Sequence, residues 1–216
     1  MSADKITQET VVLVHGLWMR GWVMAWWAWR LRRAGFCTVV FSYPSLRASL
    51  TDNALRLARF VAHLDATRIH FVGHSLGGLV IWQMLATHAD ARTGRVVLAG
   101  CPYQGSYTAV KLARRGLGRR LIGASVLQWL HQAAPHLDQR YEIGVIAGSK
   151  SIGLGRLVGG LPEPSDGAVS VAETPVPGVS DQIVLGVSHS GMLISPQVAR
   201  QTSVFLRQGH FLQVRS

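Results

Sequence analysis

Apolar positions are grouped along the chain in two kinds of block. Six blocks are runs of four to seven residues rich in Val, Ile and Leu, a pattern typical of strands buried on both faces of a sheet. These runs are Thr10–Val14, Phe36–Phe41, Ile69–Val72, Arg95–Ala99, Tyr141–Ala147 and Gln182–Val187. Several of the segments between them carry apolar residues every three or four positions, which indicates helices.

The starts of two helices can be placed from capping residues. Ser49 precedes a segment with helical apolar spacing, and Ser195-Pro196 opens the last helix with an N-cap and a proline at its first position. Strands that alternate with helices predict a mostly parallel, doubly wound sheet of six strands with helices on both faces. Functional residues are then expected just beyond the carboxyl ends of the strands.

A tryptophan-rich helix is expected after the first strand, over residues 21–33. Trp22, Trp26 and Trp29 fall on one helical face, and such a stripe usually packs into the core. The additional Trp18 and Trp27 leave a second interpretation open, either an aromatic wall beside a functional site or a face that touches a membrane.

The composition fits one globular domain over residues 1–216. The chain is 48% hydrophobic and 15% charged, and it shows no repeat and no linker. Cys37 and Cys101 are too few for a disulfide framework and are expected to be buried thiols. No apolar run reaches the ~18 residues of a membrane span. The first strand also begins too early to leave room for a signal peptide, so a cytoplasmic protein is predicted.

A formal charge of +11 favours anionic partners, and no nucleic-acid-binding motif accompanies it. We expect residues 102–140 to form a small helical cap inserted into the domain. Its basic side chains are either a solvated face or a surface for anionic lipid or a long acyl substrate, which would allow peripheral membrane contact. These side chains are Lys111, Arg114, Arg115, Arg119 and Arg120.

The residues around Ser75 indicate a nucleophile. Gly73-His74-Ser75-Leu76-Gly77-Gly78 follows the third strand and opens a helix, which is the context of a nucleophile elbow. Glycine is needed at positions 73 and 77 because a Cβ there would collide with a neighbouring strand or helix. An ordinary N-cap serine is the alternative interpretation.

A nucleophilic serine needs a base and an acid that orients the base. His189 follows the last strand, where a loop can carry its imidazole over Ser75. The acid should lie between serine and histidine, past the fifth strand, which favours Asp166 and leaves Glu163 as the runner-up. A simple Asp-Gly turn is the alternative for Asp166.

The oxyanion formed in such chemistry needs backbone N–H donors. Leu76 is expected to supply one, and the loop after the first strand the other, with Leu17 preferred and Trp18 next. His15, Trp18 and Met192 are candidates for the substrate pocket, although His15 is expected chiefly to hold its loop in shape. This chemistry calls for no cofactor and no metal.

Together these motifs resemble those of the α/β-hydrolase superfamily, specifically its small bacterial lipases and esterases. The resemblance implies a minimal α/β-hydrolase fold, a Ser75–His189–Asp166 triad and ester hydrolysis through an acyl-enzyme. Cys101 departs from the corresponding lipase segment, and the family's first antiparallel strands are expected to be missing. The motifs that match in order are His15-Gly16, the elbow at 73–78, Cys101-Pro102-Tyr103-Gln104-Gly105-Ser106, Ser165-Asp166-Gly167 and His189 with Gly191-Met192-Leu193.

Three functions remain open from the sequence. The first is a serine carboxylic-ester hydrolase of lipase or esterase type, acting on a lipid-like or small acyl ester. The second is a thioesterase or acyltransferase with the same triad, whose basic cap would bind a phosphorylated carrier. The third is a non-catalytic protein of this fold that binds an anionic surface, which an intact triad disfavours. The motifs specify neither acyl chain length nor oligomeric state.

Overall fold

The six predicted strands form one sheet in a computed structural model, which describes residues 9–114, 118–137, 141–152 and 160–213. All neighbouring strands are parallel, in the order β2-β1-β3-β4-β5-β6. The predicted boundaries differ from the observed ones by no more than two residues at either end. The strands are β1 (Glu9–Val14), β2 (Cys37–Phe41), β3 (Arg68–His74), β4 (Thr93–Ala99), β5 (Ile143–Gly148) and β6 (Asp181–Leu185).

Helices connect the first five strands, as the alternating pattern predicts, whereas the described residues between β5 and β6 form only a 3₁₀ turn. The helices are α1 (Ala25–Arg33), α2 (Leu50–Ala62), α3 (Leu76–Thr87), α4 (Tyr107–Ala113), α5 (Gly118–His131) and α6 (Pro196–Gln208), with short 3₁₀ turns at Gly21–Met24, Val171–Glu173 and Ser190–Ile194. Both predicted caps form, since the Ser49 hydroxyl accepts from the Asp52 N–H and the Ser195 hydroxyl from the Val198 N–H. Within the described ranges, no helix is long and apolar enough to cross a bilayer.

Two apolar layers hold the sheet between its helices. Side chains of β1 alternate, so that Val12 and Val14 pack with α2 and α3 on one face, and Val11 and Leu13 pack with α1 and α6 on the other. The β1 side chains from Val11 to Val14 are fully buried. This two-sided burial explains why the strands are continuous apolar runs, and it confirms the predicted fold class.

The predicted tryptophan stripe is only partly in the core: the core interpretation is wrong for Trp22 and Trp29, whereas Trp26 is partly buried and packs against the core. Trp27 is fully buried against the sheet, whereas Trp22 and Trp29 are 76% and 42% exposed. The buried face carries Met24, Trp27, Ala28 and Leu31, which have the i, i+3, i+4, i+7 spacing of a core-facing stripe. Two overlapping apolar stripes are therefore present. One faces the sheet along its whole length, and the other contacts the core only through Trp26.

One of the two cysteines also differs from expectation, because Cys37 is exposed while Cys101 is buried. Cys37 lies at the start of the edge strand β2, where one side of the backbone has no neighbouring strand. An edge strand leaves its side chains less covered than a central strand does.

Helices α4 and α5 lie within the segment predicted as a cap, between β4 and β5. Helix α5 is broken at Gly123 (φ 73°, ψ 168°), where a Cβ would come within 2.8 Å of the Leu46 backbone. Beyond the break, the Ala124 N–H donates to Leu46 O and the Asn53 side chain donates to Ser125 Oγ. These bonds fix α5 to α2 and to the loop before it. The predicted basic residue Arg115 lies outside the described residues.

Candidate active site

Ser75 occupies a sharp turn between β3 and α3. Its backbone has φ 54° and ψ −124°, a left-handed conformation that is strained for a residue with a Cβ. The turn is held by two backbone bonds, from the Ser75 N–H to Ala99 O (2.9 Å) and from the Gly78 N–H to Ser75 O (2.9 Å). The strand-turn-helix context predicted for a nucleophile elbow is therefore present.

The glycines of the elbow meet the predicted steric requirement. A Cβ on Gly73 would lie 2.6 Å from the Gly78 backbone at the start of α3. A Cβ on Gly77 would overlap the Val14 carbonyl oxygen at the end of β1, and one on Gly78 would lie 2.7 Å from Cys101 Sγ. Because backbone atoms cannot move aside as a flexible side chain can, larger residues at 73 and 77 would displace the turn.

Asp166 and His189 form a hydrogen-bonded pair beside this turn. The His189 Nδ1–H donates to Asp166 Oδ2 (2.7 Å), and the His189 backbone N–H donates to Asp166 O (2.9 Å). Asp166 is buried, and its Oδ1 accepts the N–H groups of Ala168 (2.9 Å) and Val169 (2.7 Å). Three hydrogen bonds thus hold the carboxylate, and the proton on Nδ1 leaves Nε2 as the basic ring nitrogen.

The rival carboxylates are occupied elsewhere. Glu163 is exposed and accepts hydrogen bonds from the backbone and hydroxyl of Ser165. Asp181, at the start of β6, accepts the Phe211 N–H (2.7 Å) at the opposite edge of the sheet. Of the two acids considered from the sequence, the structure brings Asp166 and not Glu163 to the imidazole.

Ser75 and His189 line one cavity, and both are partly accessible. Among the hydrogen bonds of the described residues, none joins the Ser75 hydroxyl to the His189 ring. Asp166 and His189 are therefore in direct contact, whereas Ser75 and His189 are neighbours that line the same cavity.

The loop after β1 passes next to the elbow. A Cβ on Gly16 would lie 3.1 Å from Ser75 Cβ, so glycine allows this loop its close approach. The following residues Leu17 and Trp18, together with Leu76, line the cavity that contains Ser75. Trp18 has φ 61°, a second strained non-glycine backbone beside the site, and its indole N–H donates to Leu121 O on α5 (2.7 Å).

Of the three predicted pocket residues, Trp18 lines the cavity, whereas His15 and Met192 do not. His15 is buried and stacks on Tyr43, with 4.4 Å between ring centroids. The Tyr43 hydroxyl donates to His15 O (2.8 Å), so this pair shapes the loop after β1, and burial lowers the pKa of His15. Met192 is fully buried, and its Cε lies near the backbone of Gly148. Both sequence positions are close to the site, but their side chains turn into the protein.

His74 has a role beside the catalytic candidates that its sequence position alone did not indicate. Its Nε2–H donates to the backbone carbonyl of His189 (3.0 Å), and the two imidazole centroids are 4.7 Å apart. Burial, together with the neighbouring His189, lowers the pKa of His74 to about 3, so the ring is neutral. The only available signal was the position beside Ser75, because its partner is 115 residues away in the chain.

The cavity has a volume of about 240 Å³, and the described residues that line it include no Asp, Glu, Lys or Arg. Helices α4 and α5 supply much of the wall, through Ala109, Leu112, Ile122, Val126, Trp129 and Leu130. The Thr108 hydroxyl donates to Ala168 O (2.8 Å), which ties α4 to the loop of Asp166. In the described part of the chain, no group of His, Cys, Asp or Glu side chains is arranged to hold a metal ion.

Comparisons with known proteins bear on the family. The model of the "Alpha/beta hydrolase family" matches residues 11–206, and no curated protein matches the chain. The mature lipase BlEst2 of Bacillus licheniformis is 20% identical, with a TM-score of 0.71 over 96% of this chain and 94% of that one. A metagenomic carboxyl esterase, MGS0156, is 21% identical, with a TM-score of 0.65 over 86% of this chain and 65% of that one.

The carboxylesterase CesB of Bacillus subtilis is 16% identical, with a TM-score of 0.55 over 96% of this chain and 86% of that one. At these identities the structural likeness concerns the fold. The family model spans nearly the whole chain and agrees with the observed sheet, so this protein belongs to the alpha/beta hydrolase family.

Proposed function

We propose that this chain is a serine carboxylic-ester hydrolase with Ser75 as nucleophile, His189 as base and Asp166 as the acid that orients it. The observation that carries the proposal is the 2.7 Å bond between Asp166 and His189 Nδ1, on the cavity that also contains Ser75. That bond leaves Nε2 to accept the serine proton. The lipase and esterases with the same fold support the reaction class.

The reaction follows from these assignments. As Ser75 Oγ attacks the ester carbonyl, His189 Nε2 takes its proton, and the buried Asp166 stabilises the imidazolium. The imidazolium then protonates the departing alcohol, and His189 activates water to release the acid from acyl-Ser75. The serine–imidazole hydrogen bond of such enzymes often tightens only when substrate is bound.

The oxyanion is proposed to bind the N–H groups of Leu76 and Leu17. Leu76 opens α3, whose first N–H groups have no partner within the helix, and its N–H benefits from the positive end of the helix dipole. Gly16 lets the Leu17 loop approach Ser75 closely. Each such donor is worth about 3 kcal/mol in the transition state.

The cavity favours a neutral, apolar acyl group of small to moderate size. Its volume of about 240 Å³ lies below the ~300–1,000 Å³ that is usual for drug-sized ligands. Because no charged side chain is among the described residues of its wall, a carboxylate or phosphate held against that wall would be desolvated without a counter-ion. Short- and medium-chain acyl esters are therefore the proposed substrates.

A fluorophosphonate probe tests the nucleophile. It should modify Ser75 in the wild-type protein, and Ser75→Ala should abolish both labelling and hydrolysis of p-nitrophenyl butyrate. Ser190→Ala is the matched control, since Ser190 is an exposed serine on the same cavity. Labelling at another residue, or full activity of Ser75→Ala, would refute the assignment.

A thioesterase remains the second candidate because α5 carries two exposed arginines, Arg119 and Arg120. The next residue, Leu121, accepts the indole N–H of the cavity residue Trp18 with its carbonyl oxygen. Two exposed arginines on α5, a helix that supplies part of the cavity wall, could bind the phosphates of a carrier. If so, Arg119→Gln with Arg120→Gln should reduce kcat/KM for an acyl-coenzyme A but not for a p-nitrophenyl ester. The same change at Arg56 and Arg59, exposed on α2, is the charge-matched control.

A further inference from the structure

A solvent-facing surface of α1 and the turn before it combines tryptophan and arginine. We call it the Trp–Arg face and define it as Trp22, Trp26, Trp29, Arg30 and Arg33. Four of these positions follow the i, i+4, i+7, i+11 spacing of one helical face. Trp22 and Trp29 are exposed and point away from the buried Trp27, while Trp26 is partly exposed and also packs against the core.

The arginines of this face lie against its indoles. The Arg30 guanidinium lies 5.5 Å from the Trp26 ring and 5.8 Å from the Trp29 ring, and that of Arg33 lies 5.3 Å from Trp29. These are cation–π distances, which hold the positive charges at the level of the aromatic rings. Cations and indoles at one level match the headgroup region of a bilayer, where phosphates and the apolar boundary lie close together.

A groove between α1 and α6 extends the positive charge. Arg30, Arg33 and Arg200 line it, together with Gln197 and Ser203. The sequence has no Asp or Glu from Thr10 to Thr51 and none after Asp181, so neither helix carries an acidic residue. Among the described residues, none of these three arginines forms an ion pair with a carboxylate. The charge of this side is therefore available to an anionic partner.

Folding alone does not account for these exposed tryptophans. The core-facing stripe of α1 is complete without them, and large exposed apolar groups on one surface usually mark an interaction site. The face also reaches the carboxyl ends of the strands, where Ser75 lies, because the chain enters α1 from that end of β1. At the same edge Ile194 is 64% exposed, at the end of the turn that follows His189.

We propose that the Trp–Arg face docks on an anionic phospholipid bilayer. The indoles insert at the headgroup level, and the arginines bind lipid phosphates along α1 and the groove beside α6. This assigns membrane contact to α1 and α6 and not to the basic residues of α4 and α5. The proposal is independent of the catalytic assignment, since it rests on none of the cavity residues.

Co-sedimentation of the Ser75→Ala protein with vesicles tests docking without lipid hydrolysis. The protein should bind vesicles of phosphatidylcholine with phosphatidylglycerol, and bind those of phosphatidylcholine alone much more weakly. Arg30→Gln with Arg33→Gln should weaken binding to the anionic vesicles about 25-fold. Trp22→Ser with Trp29→Ser should weaken it roughly tenfold or more. High salt should weaken the binding as well.

Two charge-matched controls locate the surface. Arg56→Gln with Arg59→Gln on α2, and Arg119→Gln with Arg120→Gln on α5, should bind vesicles nearly as the parent does. With Ser75 intact, the Trp–Arg variants should hydrolyse a soluble ester normally, which shows that they fold.

Several results would overturn the proposal. They are unchanged binding of the Trp–Arg variants, loss of binding only in the α5 variant, equal binding to neutral vesicles, or failure of the parent to bind any vesicle. Binding of single-stranded DNA, or dimer formation through this face, in place of vesicle binding would also overturn it.

Discussion

Replacing His74 by Phe should slow catalysis without affecting the cavity. His74 Nε2–H holds the backbone carbonyl of His189 at 3.0 Å, and its ring packs against the His189 imidazole. Phe preserves the ring but removes the donor, which leaves that carbonyl without its partner. Such a loss costs about 1–3 kcal/mol. If the lost hydrogen bond raises the activation free energy by this amount, because His189 is no longer held in place, kcat should drop about 5- to 150-fold.

Steady-state kinetics on a soluble p-nitrophenyl ester distinguish this role from a general loss of structure. KM should change little, since His74 is not among the residues that line the cavity. His74→Gln is the rescue variant, because its amide N–H can reach the same carbonyl and should restore most of kcat.

The pH profile adds an independent check. The pKa of His74 is about 3, so the ring is already neutral in ordinary assays, and the acidic limb of kcat/KM should survive in His74→Gln. Equal losses in the Phe and Gln variants, or a loss confined to KM, would refute the positioning role.

Three further predictions follow from the same geometry. The free energy of unfolding, measured in urea, should depend less on acid in His74→Gln than in the wild type. The folded protein keeps His74 neutral down to a pKa of about 3, whereas the unfolded chain protonates it below its ordinary pKa of 6.5. Protonation of the unfolded chain should therefore lower the wild-type free energy of unfolding by about 2 kcal/mol at pH 5. An equal loss in the variant would contradict this origin. Asp166→Asn should lower kcat roughly 10³- to 10⁴-fold with KM nearly unchanged, and more than a tenth of wild-type activity would argue against its role. Val126→Trp should fill the cavity, so that kcat/KM for octanoyl esters falls much more than for acetyl esters, whereas Val110→Trp, on the exposed side of α4, should leave that ratio unchanged.

The elbow could be predicted from the sequence because its requirements are local. Gly73, Ser75 and Gly77 are close in the chain, and the steric conflict that excludes larger residues arises within one strand, one turn and one helix. Placing Asp166 and His189 needed only chain order and the rule that strand ends share an edge of a parallel sheet. Both residues therefore followed from topology without knowledge of side-chain packing.

The errors arose where tertiary packing decides between equivalent patterns. Trp22, in the 3₁₀ turn, and Trp27, on α1, belong to different apolar stripes of one helical segment, and periodicity cannot tell which stripe turns to the sheet. His15 and Met192 lie beside functional motifs in sequence, but their side chains pack into the interior. The contact of His74 with His189 spans most of the chain and has no local signature.

Asp166 and His189 are packed against the main chain of the sheet, whereas other elements form most of the substrate cavity. The position of the reacting groups and the choice of acyl group therefore depend on different parts of the fold. A Cβ on Gly100, after β4, would lie 3.1 Å from both Asp166 Oδ2 and the His189 ring, and one on Gly148, at the end of β5, would lie 2.7 Å from Asp166 Cβ. Such contacts leave the pair little room to move, so its geometry is set when the sheet folds. The cavity wall, by contrast, comes largely from α4 and α5. Substitutions there should change which acyl group fits while the reacting groups keep their positions.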